Sequence, residues 1–234
     1  MKHKFFSAIM ALVAFSFMAC ANSDKTAKIG DRQGVVRSLD SVPYFNKIVL
    51  DGILDVEFTQ ADYSGVKVEG AKEIVKNVLV KVEGKTLVLE LSKKDYLRFD
   101  RSKKAKVFVS SPDILSVVLK GAGSFCSENP VDTDTLDVQL LGSGNIEFDD
   151  IVCDQASFNV RGAGNIEVDN LTAQTSNVSL LCVGNMDIHF RNSGDVTCNL
   201  QGVGTLEFDG NVRSFNVNKQ GTGVIDTEEL KVGK

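Results

Sequence analysis

Acidic residues recur at fixed intervals in the second half of this 234-residue chain. Glu147, Glu167, Asp187, Glu207 and Asp226 follow one another at spacings of 20, 20, 20 and 19 residues. Asp149, Asp169, His189 and Asp209 hold the position two residues later. Clustered carboxylate oxygens are the chemistry of a hard-cation site, so Glu147, Glu167, Asp187 and Glu207 form a candidate calcium ladder. The competing reading is a solvated acidic face with no cofactor. Its like charges would be relieved by outward splay and by Arg161, Arg191 and Arg213, and this is the reading adopted.

Other chemistry is scarce. A processed chain keeps one histidine, His189, which excludes a His-based triad and a two-His metal site. No CxxC pair occurs among Cys126, Cys153, Cys182 and Cys198, so neither a zinc nor a redox site is expected. Cys182 and Cys198 fall on inward parity and read as small buried hydrophobes; Cys126 falls on outward parity and Cys153 in a turn. There is no Trp, and Tyr44, Tyr63 and Tyr96 offer little aromatic surface for stacking on sugars. The acids form a regular column instead of a distinct cluster, which leaves a polysaccharide-active enzyme as the weakest of the functional readings.

The elements that position these residues come from a repeat. Gly121-Ala-Gly123, Gly142-Ser-Gly144, Gly162-Ala-Gly164, Cys182-Val-Gly184, Gly202-Val-Gly204 and Gly221-Thr-Gly223 share one core, with second glycines 21, 20, 20, 20 and 19 residues apart. Asn145-Ile146, Asn165-Ile166 and Asn185-Met186 follow three of them, and the asparagines read as a structural side-chain ladder. Around each core, apolar residues alternate with polar ones, as in Leu136, Val138, Leu140, Ile146 and Phe148. Period two means strands with one buried face. No amphipathic helix follows any GxG, which excludes a phosphate loop. A unit of strand, glycine corner, strand and polar turn buries its apolar face only by stacking on copies of itself. The expected fold is all-β: a right-handed parallel β-helix, or solenoid, with coils of about 20 residues.

Residues 35–118 are less regular. They read as N-terminal coils and a β-rich cap that run into the repeat region, 119–234, as one continuous domain. Strands are expected at 48–50, 54–59, 66–69, 79–83 and 87–91, with a hairpin turn at Glu83-Gly84-Lys85-Thr86 and a helical turn near Ala71–Asn77. Lys93 to Lys106 reads as a charged loop.

The beginning of the chain bears on location. Lys2 and Lys4 precede an apolar run, Phe5–Ala19, of 15 residues, and Cys20 follows at once. The run has the layout of a signal peptide over 1–19. Phe17-Met18-Ala19-Cys20 resembles a bacterial lipobox, with Cys20 the lipidated residue and 20–34 a tether. The expected location is exported, on the outer membrane, with the membrane itself as first partner through the lipid. Processing leaves 24 Lys+Arg against 31 Asp+Glu, a net charge of −7, which excludes nucleic acid as a partner.

The array of Gly-Ser/Ala-Gly-Asn-Ile-Glu cores, with Asp51-Gly52-Ile53-Leu54-Asp55-Val56 ahead of it, resembles the putative auto-transporter adhesin "head GIN" domain family over residues 36–227. The resemblance implies a right-handed parallel β-helix on an exported bacterial protein and an adhesin with no defined ligand and no catalytic residues. Cys182 stands in place of the first glycine, and Thr205 and Val224 replace the asparagine. The chain ends eleven residues after Gly223, which points to an uncapped last coil and homo-oligomers. A glycan or protein is the expected ligand; a self-associating structural component of the envelope is the alternative.

Overall fold

A computed structural model describes residues 25–29, 34–39, 42–91 and 105–233. The signal segment, Cys20 and all but the last two residues of the charged stretch 93–106 lie outside the described residues. Near the N-terminus, β1 (Lys25–Ile29) pairs antiparallel with β2 (Gly34–Leu39). The segment 20–34 is therefore not tether throughout, because pairing satisfies the backbone groups that β2 would otherwise leave open.

β3 (Lys47–Asp51) and β4 (Leu54–Gln60) form one coil, bent at Gly52. β5 (Gly65–Ala71) leads through the single-turn α1 (Lys72–Val75) to β6 (Val78–Glu83). Gly84, at φ 62°, turns β6 into the antiparallel β7 (Thr86–Leu91). β8 (Ala105–Ser111) begins within the stretch expected to be a loop. β9 (Ser116–Leu119) and β10 (Ser124–Ser127) then form a further coil.

The order of these coils is not the order of the chain. β3 lies between β7 and β9, and β4 lies between β8 and β10, all parallel. The coil of β7 and β8 thus sits outside the coil that precedes it in sequence. Antiparallel strands cover its outer side: β6 on β7, and β5, β2 and β1 in succession on β8. Antiparallel pairing ends the stack with a different register, the kind of covering an open solenoid end requires.

Beyond β10 the repeat takes over. β11 (Val131–Leu140), β12 (Asn145–Phe148), β13 (Ile151–Val160), β14 (Ala163–Leu180), β15 (Val183–Leu200) and β16 (Val203–Lys219) stack in parallel, and β17 (Val224–Asp226) and β18 (Leu230–Val232) complete the last turn. The result is a solenoid of about 6 turns with three faces. The first face carries the strand before each glycine corner and the second the strand after it. The third face occupies the segment expected to be a polar turn. It is a strand in its own right, because Val131, Ile151, Leu171 and Phe190 point inward and are fully buried.

Stacking puts like on like inside. Phe125, Ile146, Ile166, Met186 and Leu206 form one inward column of the second face, and Leu119, Leu140, Val160, Leu180 and Leu200 one of the first. Each of these residues is at most 1% exposed. Burying one such side chain contributes about 1.5–3 kcal/mol. The cysteines follow their expected parity only in part. Cys198 is buried in a first-face column, and burial pushes its thiol up to about 12. Cys153 is also buried, inside the third face. Cys182 is exposed because it stands at a corner, where inside-outside alternation breaks down.

The corners explain the glycines. The coil-to-coil hydrogen bonds run on through the bend: Ser143 donates its N–H to the Gly121 carbonyl at 2.9 Å, and Ala163 to Gly142 at 2.8 Å. A Cβ on Gly142, Gly144, Gly162 or Gly164 would overlap the carbonyl oxygen of the glycine one coil back. These glycines serve close backbone approach. Where Cys182 replaces the first glycine the ladder still runs through the corner, with Val183 N–H donating to the Gly162 carbonyl at 3.3 Å and Val203 N–H to the Cys182 carbonyl at 2.8 Å. Gly164→Ala should therefore destabilise the fold by about 3 kcal/mol, the upper range for overpacking, as read by urea denaturation. A change below about 0.5 kcal/mol, the scale of an inert surface substitution, would overturn this account of the corners.

Candidate functional site

The acidic positions share one surface, the outward side of the second face. Glu147 aligns with Glu167, Glu167 with Asp187, Asp187 with Glu207, and Glu207 with Asp226. The column continues toward the N-terminus through Cys126 and Glu57. Strand alternation turns these side chains outward, and hydrogen-bonded register sets neighbours about 4.8 Å apart. A like-charged pair at such a distance costs about 1 kcal/mol in water.

In the second column His189 sits opposite Asp209, and its Nδ1 lies 2.8 Å from the Asp209 Oδ1. Glu167, Asp169, Asp187, His189 and Asp209 line a shallow depression of about 310 Å³. Asp187 is held above the usual carboxylate range. Desolvation is the first cause, followed by the negative charges of Glu167, Asp209 and Asp169, with His189 acting in opposition. Among the described residues, no three His, Cys, Asp or Glu side chains converge as a metal site would require.

The asparagines do form a ladder. Asn165 donates its side-chain amide to the Asn145 Oδ1 at 3.2 Å, Asn185 to the Asn165 Oδ1 at 3.1 Å, and the Thr205 backbone N–H to the Asn185 Oδ1 at 3.0 Å. Thr205 thus ends the ladder with its backbone. Two of the arginines expected to relieve the acid column serve elsewhere. Arg191 pairs with Asp150 at 2.7 Å, and Arg213 with Asp195 at 2.5 Å. Hydrogen bonds from Arg213 and Ser214 hold the Asp195 carboxyl down to about 2.

The acid column is balanced at its N-terminal end. Lys106 reaches Glu57 at 2.6 Å, and the hydrogen bond raises the lysine's pKa. Lys106 and Lys67 both lie over the ring of Phe108, at 4.9 and 5.1 Å from its centroid. The third face carries a trough of about 540 Å³, with Asp132, Asp154, Gln174 and Arg213 on its walls and Cys153 in its lining. Burial, with Asp154 and Asp132 adding to it, pushes the Cys153 thiol up to about 11.

The outward residues of the first face form a group that no sequence motif marks. Gln139, Asn159, Ser179, Asn199 and Asn218 align in one column. Asp137, Ser157, Asn177, Thr197 and Asn216 align in the next. The signal was present at every second position before each GxG, but amides and hydroxyls do not announce a shared chemistry until the coils are aligned.

The model of the family described as "Putative auto-transporter adhesin, head GIN domain" matches residues 44–234. The chain belongs to this family. Among curated proteins none matches it. A solved putative adhesin from Bacteroides fragilis superposes with a TM-score of 0.68 at 22% identity, covering 84% of this chain and 98% of that one. A solved putative lipid binding protein from Parabacteroides distasonis gives 0.62 at 17% identity, covering 88% and 98%. A solved putative adhesin from the same organism gives 0.53 at 19%, covering 85% and 98%. At these identities the structures share the fold.

Two outcomes follow from the acidic surface. Because the folded-state pKa of Asp187 is raised, its ionisation works against folding above that value, and the penalty fades as pH falls through it. Asp187→Asn should raise the melting midpoint at neutral pH, with a gain that shrinks on acidification. A gain independent of pH would refute the electrostatic cause. Calcium added to chelated protein should leave the midpoint unchanged, whereas an upward shift would establish the calcium ladder.

Proposed function

We propose that this chain is a non-catalytic adhesion module, held at the bacterial envelope by a lipid on Cys20 and binding through the outward faces of its solenoid. The observation that carries the reading is the in-register stack. It repeats one residue type over several coils, so the first and second faces offer long uniform columns of like groups. Catalysis needs a nucleophile, a base and an orienting group at one point, whereas extended contact needs the same group many times over. The adhesin family to which the chain belongs supports the same reading.

The lipid rests on the sequence Phe17-Met18-Ala19-Cys20. The outer membrane is the proposed location, and the acidic second face is a solvated surface turned away from anionic headgroups. Full-length protein expressed in a bacterial envelope tests both parts. Wild type should fractionate with membranes and Cys20→Ser should be released. Cells bearing the wild type should adhere to glycan- or protein-coated surfaces more than cells without it. Equal adherence would overturn the adhesion reading, and membrane retention of Cys20→Ser would overturn the anchor.

A further inference from the structure

The three faces differ in charge, and the difference points to a ligand. On the second face the outward columns carry Glu147, Glu167, Asp187 and Glu207. On the first face the two columns from β11 to β16 hold amides and hydroxyls with a single ionisable group, Asp137. Some of these side chains are already ordered. Gln139 donates its amide to Asp137 at 2.6 Å, Asn159 to the Ser157 hydroxyl at 2.9 Å, and Asn218 to the Asn199 Oδ1 at 3.4 Å. Each amide still has a second N–H and further acceptor capacity. The Gln139 column continues onto Val118, Val49 and Val88, all half-buried, so an apolar strip runs on from the polar one.

We propose that the first face binds a neutral polysaccharide lying along the solenoid axis. The inference rests on the adhesion reading and names its ligand class. Sugar hydroxyls donate and accept at once, as do the amides and hydroxyls of this face, and a pyranose ring also presents C–H surface to valines. Coils succeed one another at about 4.8 Å, close to the advance of one ring in an extended β-linked hexose chain. One sugar per coil repeats the same weak contact over five coils, and affinity accumulates by multivalency. An anionic polymer finds no cation in these columns and meets the field of the adjoining acidic face. A protein partner is disfavoured because the columns lack Tyr, Trp, Phe, Met and Arg, the residues that anchor protein interfaces.

The test is calorimetric titration of the purified full-length protein with β-linked neutral hexose oligomers of increasing length, and with a polyuronate. Affinity should rise with length until the oligomer spans the five coils, and the polyuronate should not bind. Asn159→Asp with Asn199→Asp should weaken binding about tenfold or more, and Asn159→Ala with Asn199→Ala should do so as well, both with unchanged melting. Lys76→Gln, on the α1 side of the molecule, should bind as wild type. Equal binding by both double variants, or by the polyuronate, would overturn the proposal. Self-association broken by the Asp variant, without oligomer binding, would assign the face to a second copy instead. Cell adherence without oligomer binding would overturn the glycan assignment alone, whereas loss of both would take the adhesion reading with it.

Discussion

Everything in this molecule depends on the coil-to-coil backbone ladder continuing through the corners. A strand that ends at a bend normally loses its neighbours there. Here Leu141 and Gly142 both donate to the Leu119 carbonyl, at 2.8 and 3.0 Å, and Ser143 carries the ladder on to Gly121. That continuity brings the glycine carbonyl of one coil to the place where the next coil's Cβ would sit. Glycine is therefore required at the corner by the distance between coils as well as by the bend.

An unbroken ladder fixes register, and register fixes chemistry. Once Asn145 lies against Asn165, Glu147 must lie against Glu167 and Ile146 against Ile166. Inside, like-on-like packing closes the core. Outside, it forces like charges together on the second face, where desolvation first and the neighbouring carboxylates second hold Asp187 above the usual carboxylate range. The same rule segregates neutral amides and hydroxyls onto the first face. A solenoid thus presents several chemically separate surfaces on one continuous backbone ladder.

The N-terminal end solves a different problem. A stack of parallel coils leaves an open edge at each end, and the chain closes this one by doubling back. β7 and β8 pass outside β3 and β4, and antiparallel β6, β5, β2 and β1 cover them. Phe108, on that outer coil, gathers Lys67 and Lys106 at the end of the acid column.

The sequence alone determined the period, the inward columns and the outward acid and asparagine columns. Each is a local property: alternation at every second residue, and repetition every 20 or so. It also placed β3 to β7 and the Gly84 hairpin, because turn and strand signals there lie within a few residues of each other. Tertiary structure decided what depends on closing the coil in three dimensions. The third face looked like a turn because Thr133, Ala173 and Ser193, small or polar residues, stand inward beside Ile151 and Leu171. Cys182 had inward parity and an outward place because parity does not survive a corner. Arg191 and Arg213 found Asp150 and Asp195 across coils, where one-dimensional spacing has no distance to offer. The crossed order of the first coils depends on which edges remain open after folding, and only the assembled stack contains that fact.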